Sequence, residues 1–158
     1  MYASNLSTPI GNLLIEANEE AVFSIEFKEP LAELPNELTV LAKVQLEDYF
    51  NGKTMEFVFP MQQPGSDFQQ AVWQELLQIK AGYPISYAAL SQKMNNPLAI
   101  RAIAATNGKN KLAIVVPCHR VIGSNGDLVG YAGGLWRKQW LLNHEAQITG
   151  IGQTSLFL

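Results

Sequence analysis

"SYAALSQKMNNPLAIRAIAATNG", Ser86–Gly108, contains two short helical patterns on either side of an Asn-Asn step. Ser86 is suited to cap the first, and Asn96 followed by Pro97 to open the second. The second is rich in alanine and stops at Gly108. Two short helices joined by a tight turn make a helix-turn-helix candidate, whose second helix would lie against a duplex. The same pattern also suits an αα-hairpin that does nothing but pack. Arg101, the one charge within "LAIRAIAA", either snorkels out of a core or reaches into nucleic acid. Tyr87 is either a packed aromatic or a hydroxyl that contacts phosphate.

Upstream, Ser66 and Gln69 form a capping box that opens "DFQQAVWQELLQI", with Phe68, Val72 and Leu76 on one face. Before it, "QQPGS" carries the strongest chain break. The expected organisation is a scaffold domain over residues 1–62, a linker over 63–66, a functional domain over 67–150 and a tail over 151–158. In the first third, "NLLIEAN", "AVFSIEFKE" and "MEFVFPM" are strand candidates, with Phe23, Ile25 and Phe27 alternating against polar neighbours. "LTVLAKVQLEDYFNGK" predicts a helix with Leu41, Val44, Tyr49 and Phe50 on its apolar side and Gly52 at its end. This first region offers no cluster of nucleophile, base or ligand types.

With 158 residues, 47% hydrophobic and 16% charged, the chain predicts an ordinary soluble globular protein. No secretory signal and no membrane-spanning stretch is apparent. A single cysteine cannot form an internal disulfide, which fits a reducing cytoplasm. It also rules out a Cys-rich zinc site, and two histidines argue against other metal binding. The net charge of −3 hides an asymmetry. Residues 1–85 carry 4 Lys/Arg against 12 Asp/Glu, whereas residues 86–145 carry 7 against 2. A basic segment behind an acidic one is compatible with nucleic-acid binding, and equally with ordinary surface lysines.

The one cysteine lies in "IVVPCHRVIGSNG", Ile114–Gly126. "LAIVV" is a β-branched apolar run and predicts a buried strand, which Pro117 cannot continue. Cys118 would therefore stand where the strand ends. A thiol is a strong nucleophile as thiolate, and a neighbouring imidazole or guanidinium favours that form. His119 and Arg120 follow directly, but on extended backbone they would point to opposite faces. A turn or a bridging water would be needed to join Cys118 to His119. Glu145, at the end of "LWRKQWLLNHE", is a candidate carboxylate to orient the imidazole. The alternative is an inert buried cysteine.

"PCHRVIGSNG", with "GYAGGLWRKQWLLNHE" downstream and "FQQAVWQELLQIKAGYPISYAAL" upstream, resembles the 6-O-alkylguanine–DNA alkyltransferases. The resemblance runs from about Phe68 to Glu145. It implies an α+β chain: a small N-terminal α/β domain, ribonuclease-H-like, then a mostly helical, winged-helix-like domain with a helix-turn-helix. It also implies stoichiometric, irreversible transfer of an alkyl group from O6 of guanine in double-stranded DNA to Cys118, with O4-alkylthymine as a further substrate class.

In that reading His119 takes the thiol proton through a water, Glu145 orients His119, and Asn110 ties the active-site turn together. Tyr87 bonds guanine N3 or helps rotate the nucleotide out, and Arg101 fills the gap left by the flipped base. Ala102 and Thr106 accompany Arg101 at the DNA. Tyr131, Ala132, Gly133 and Val121 line the substrate pocket. No cofactor and no metal is implied, because the acceptor is a side chain of the protein, and a cytoplasmic monomer is expected. Ala132 stands where some relatives have serine, Lys111 where proline is common, and Ala104 and Ala105 where glycine is frequent. A sister group that only senses lesions has tryptophan in place of the cysteine. Lesion binding without transfer, with recruitment of another repair system, is the competing function; a cysteine hydrolase unrelated to DNA is a third.

Overall fold

The computed structural model describes residues 1–151, and the expected tail beyond Ile151 lies outside the described residues. The architecture is α+β and comprises two compact units. One is Met1–Pro64 together with Lys111–Val115; the other is Gly65–Asn110 together with the chain from Val116 onward.

The first unit is built on an antiparallel meander of β1 (Tyr2–Thr8), β2 (Gly11–Ala17) and β3 (Val22–Phe27), with β2 in the centre. Helix α1 (Glu37–Phe50) packs on β1 and β2. Central position explains why Leu13, Leu14 and Ile15 are all buried rather than alternating, since both faces of β2 are covered. Strand β1 has little apolar character and was not expected from the sequence. Its full register with β2, from Tyr2 opposite Ala17 to Thr8 opposite Gly11, supplies what its side chains lack.

One strand expectation and one helix-face expectation fail here. "MEFVFPM" stays irregular apart from one bridge between Met61 and Val22, because Pro60 interrupts the ladder. The expected face of α1 is also rotated: Thr39, Ala42, Leu46 and Tyr49 are buried, while Leu41 and Val44 are exposed. Asn36 caps that helix and Thr39 Oγ1 accepts from Ser4 Oγ at 3.0 Å, so small polar groups pin its first turn while Leu46 and Tyr49 bury its later turns.

The run read as a buried strand, "LAIVV", is buried but is not a strand. Leu112 makes a single bridge to Ile25, with Ile25 N donating to Lys111 O at 2.8 Å and Ala113 N to Ile25 O at 3.0 Å. The chain then turns at Ile114, whose φ of +71° is unusual for a β-branched residue.

In the second unit Ser66 and Gln69 form the expected capping box on α2 (Asp67–Leu76), with Val72, Trp73 and Leu76 buried. The two-residue strand β4 (Ile85–Ser86) leads into α3 (Tyr87–Lys93), capped by Ser86 Oγ. Helix α4 spans Ile100–Gly108. It begins later than expected: Asn96–Ala99 form a turn, so Ala99 is the N-cap instead of Asn96. Asn95 at φ +55° makes the reversal between α3 and α4. A 3-10 turn, Cys118–Arg120, precedes β5 (Val121–Ile122), which pairs in parallel with β4. The last helix, α5 (Leu135–Thr149), continues past Glu145, which sits inside it and not at its end. No helix among the described residues is long and apolar enough to cross a membrane.

Candidate active site

Pro117 follows a turn over residues 113–115, and the 3-10 turn after it places Cys118, His119 and Arg120 on tight successive positions, all buried. Cys118 N bonds back to Val116 O at 2.8 Å, which closes the turn. Asn110, two residues past the end of α4, reaches into it. Its Nδ2 donates to Val116 O at 2.9 Å and approaches Cys118 Sγ at 3.4 Å. Asn107, one turn earlier, donates from Nδ2 to Cys118 O at 3.0 Å and to the Tyr87 hydroxyl, also at 3.0 Å. The end of α4 and the residues just after it thus hold the cysteine turn through two amides.

From the opposite side α5 supplies Glu145, 1% exposed, and Lys138, fully buried. Glu145 Oε2 is 2.8 Å from His119 Nε2, and the carboxylate also accepts from Arg120 Nε at 2.8 Å and Nη2 at 2.9 Å. Arg120 Nη1 donates to Ile79 O at 2.7 Å, so each guanidinium nitrogen has an acceptor. Burial alone would raise the Glu145 carboxyl; His119 and Arg120 outweigh it and hold the group well below the usual carboxylate range. Burial pushes His119 below its ordinary value despite Glu145, so the imidazole rests neutral. Its Nδ1 is buried with no hydrogen-bond partner among the described residues.

Cys118 has its pKa pushed up by burial, an effect eased by the Asn110 contact and the charge of Lys138. The resting site therefore pairs a thiol with a neutral imidazole, not a thiolate with an imidazolium. Lys138 Nζ donates to Val121 O at 2.6 Å, Val129 O at 2.8 Å and Gly130 O at 3.3 Å. Burial lowers its pKa to about 8. Sequence reading passed over Lys138, although its spacing of 3, 4 and 7 residues from Leu141, Leu142 and Glu145 puts it on the buried face of α5. Asn107 was missed too, although it shares the buried side of α4 with Ile103 and Thr106.

Tyr87, Arg101, Ala104, Asn107, Val129 and Tyr131 border a cavity of about 330 Å³, with Ile100, Gly108 and Gly130 completing its wall. The Tyr131 hydroxyl is buried with no hydrogen-bond partner among the described residues, and burial raises its pKa well above the ordinary value. Arg101 and Ala102 lie on the exposed face of α4. Thr106 does not: it is buried, and its Oγ1 donates to Ala102 O at 2.9 Å. Val121 is fully buried and meets Lys138 through its carbonyl. Ala132 is exposed, and Gly133 O accepts from Arg137 Nη1 at 2.9 Å. Of the seven cations between residues 86 and 145, Arg120 and Lys138 are spent inside the fold, whereas Lys93, Arg101, Lys109 and Lys111 are exposed.

A family model described as the 6-O-methylguanine DNA methyltransferase DNA binding domain matches residues 67–147, and the ribonuclease-like domain of the same family matches residues 1–63. The chain belongs to the 6-O-methylguanine DNA methyltransferase family. The methylated-DNA–protein-cysteine methyltransferase of Haemophilus influenzae is 40% identical over 154 residues, covering 92% of this chain and 86% of that relative. The constitutive enzyme of that name from Bacillus subtilis is 38% identical over 156 residues, covering 91% and 94%. Among solved structures, Mycobacterium tuberculosis OGT in complex with DNA superposes with a TM-score of 0.86 at 36% identity, covering 94% of each chain. Membership in this methyltransferase family agrees with the resemblance carried by the PCHRV motif.

Proposed function

We propose that this protein repairs DNA by transferring the alkyl group from O6 of an alkylated guanine to its own Cys118, once per molecule. It is a methyltransferase that binds DNA, as its family membership and the DNA complex of a close structural relative support. The observation that carries the residue assignment is a buried cysteine contacted by Asn110 and followed directly by a His119–Glu145 pair, in the same unit as a helix-turn-helix.

In the proposed step, Cys118 Sγ forms a bond to the alkyl carbon as the bond from that carbon to O6 breaks, and the electron pair remains on the base. The thiol proton passes to His119 Nδ1 through a bridging water, then to the released guanine. A neutral imidazole with a free ring nitrogen suits the accepting role. Glu145 stabilises the imidazolium as it forms, and Arg120 keeps that carboxylate in place. A duplex base is out of reach of a buried thiol, so the nucleotide is flipped, with exposed Arg101 filling the vacated space and Tyr87 and Tyr131 bordering the base. The protein acts as a monomer in the cytoplasm without a cofactor.

Intact-mass measurement after incubation with a methylated duplex tests this reading. The expected product is a single methyl adduct mapped to Cys118, absent from Cys118→Ala, which retains DNA binding because phosphate contacts lie elsewhere. Tight lesion binding without an adduct would favour the sensing role instead.

A further inference from the structure

The Asn107 amide touches two groups of different character. The Cys118 carbonyl can only accept, and it lies 3.0 Å from Nδ2. The nitrogen must therefore face it; turning the amide over would set two oxygens against each other. Oδ1 is buried with no partner among the described residues, so nothing on that side competes for the orientation. With the nitrogen fixed, its second proton goes to the Tyr87 oxygen, also at 3.0 Å. Tyr87 is thereby made an acceptor from Asn107, and its own proton has to point away from the amide. Both residues border the cavity beside α4. No acceptor for that proton is recorded among the described residues, and burial raises the Tyr87 pKa, which keeps the phenol protonated.

We infer that Asn107 is a positioning residue that sets the hydrogen-bonding polarity of the base pocket: through the Cys118 carbonyl it forces the Tyr87 hydroxyl to present a donor to the ligand. The inference rests on the repair reading above and deepens it. The base it selects carries an unprotonated ring nitrogen at the Tyr87 position, which for a flipped alkylguanine is N3. A pocket edge occupied by N–H or C–H finds a donor facing it and no acceptor. The effect runs through three links in order: a backbone carbonyl that cannot donate, an amide that cannot turn, and a hydroxyl that cannot reverse.

The test uses the full-length protein and two duplexes, one with 6-O-methylguanine and one with its 3-deaza analogue, in which C–H replaces N3. Wild-type transfer is expected to be about tenfold slower on the 3-deaza duplex, the loss of one hydrogen bond to a buried donor. Asn107→Asp keeps the size of the side chain but offers Tyr87 an acceptor, so the hydroxyl reverses. Loss of the bond to the Cys118 carbonyl should slow both duplexes, but 6-O-methylguanine about tenfold more than the 3-deaza analogue, so the ratio of the two rates falls from about ten toward one. Tyr87→Phe should show the same fall in the ratio, and the double variant should be no slower than Asn107→Asp. Asn107→Ala, which removes the lock without inserting a charge, should lower the ratio between the two substrates and serves if the Asp variant does not fold. Equal slowing of both substrates in the Asn107 variants, or an unchanged ratio, overturns the inference. A wild-type protein that transfers from neither duplex overturns the repair reading, and this inference with it.

Discussion

Arg120 Nη2 and His119 Nε2 end on the same oxygen, Oε2 of Glu145, at 2.9 and 2.8 Å. The carboxylate is thus already committed to a guanidinium when it meets the imidazole. Its negative charge is partly neutralised by Arg120, which helps leave His119 neutral in the resting protein and available as a base. The arrangement separates two tasks: Arg120 holds Glu145 in place, and Glu145 fixes the ring and its tautomer.

Removing Glu145 should damage stability before chemistry is considered. Glu145→Ala leaves a buried guanidinium with only the Ile79 carbonyl and is expected to cost about 3–5 kcal/mol in denaturant unfolding. Because the folded Glu145 pKa lies below its unfolded value, its contribution is present above about pH 4.3 and fades as pH falls below that. His119, also lowered on folding, adds to the loss below about pH 6.5, where the unfolded chain takes up its proton first. Unfolding curves from pH 7 down to 2 should fall in the wild type, and the part of the fall below about pH 4.3 should be missing in Glu145→Gln.

His119→Phe should slow transfer most near neutral pH and recover part of the rate as pH rises and the thiol ionises on its own. Burial already holds the Cys118 pKa above its ordinary value, so that recovery should require clearly alkaline solution. A pH profile superimposable on wild type would mean that the imidazole is not the base.

Lys138→Met removes a cation that favours the thiolate and frees the carbonyls of Val121, Val129 and Gly130. Transfer at pH 7 should fall by about tenfold or more, from loss of charge stabilisation and of the pocket tether together. With a folded pKa of about 8 against about 10.4 unfolded, the unfolded chain binds more protons between those values. Wild-type stability relative to the Met variant should therefore rise with pH across that window. Paired denaturation series at pH 7, 9 and 10 would show it; a constant difference would contradict a buried ammonium.

Arg101→Ala should weaken transfer from a methylated duplex far more than reaction with free 6-O-benzylguanine, since only the duplex has a gap to fill. Arg101 is exposed, so the fold should be unaffected and the melting temperature nearly unchanged. Equal losses on both substrates would assign Arg101 to the small-molecule pocket instead.

Much of the helical unit was legible because its signals are local. Ser66 with Gln69, and Ser86 alone, cap the helices they were expected to cap. Glu145 could be picked out as a carboxylate downstream of the cysteine motif, and the structure brings it to His119. What escaped were features whose cause is remote in sequence. Strand β1 exists because β2 pairs with it, not because of its own composition. "LAIVV" has strand composition, but its hydrogen bonds go to Ile25, and one bridge is all that contact allows before Ile114 turns. Thr106 reads as a polar residue on a reading helix, yet its hydroxyl folds back on Ala102. Lys138 and Asn107 look like surface residues until helical periodicity is applied to polar positions as strictly as to apolar ones.

The five residues Lys111–Val115 belong to the first unit although the chain on both sides of them belongs to the second. No single cut therefore yields two self-sufficient halves. A fragment starting at Gly65 would still carry Leu112, Ile114 and Val115 but not the Ile25 backbone that fixes them, only a few residues from Cys118. The front part is therefore not a detachable module: its Ile25 backbone holds the stretch of chain that leads to the cysteine.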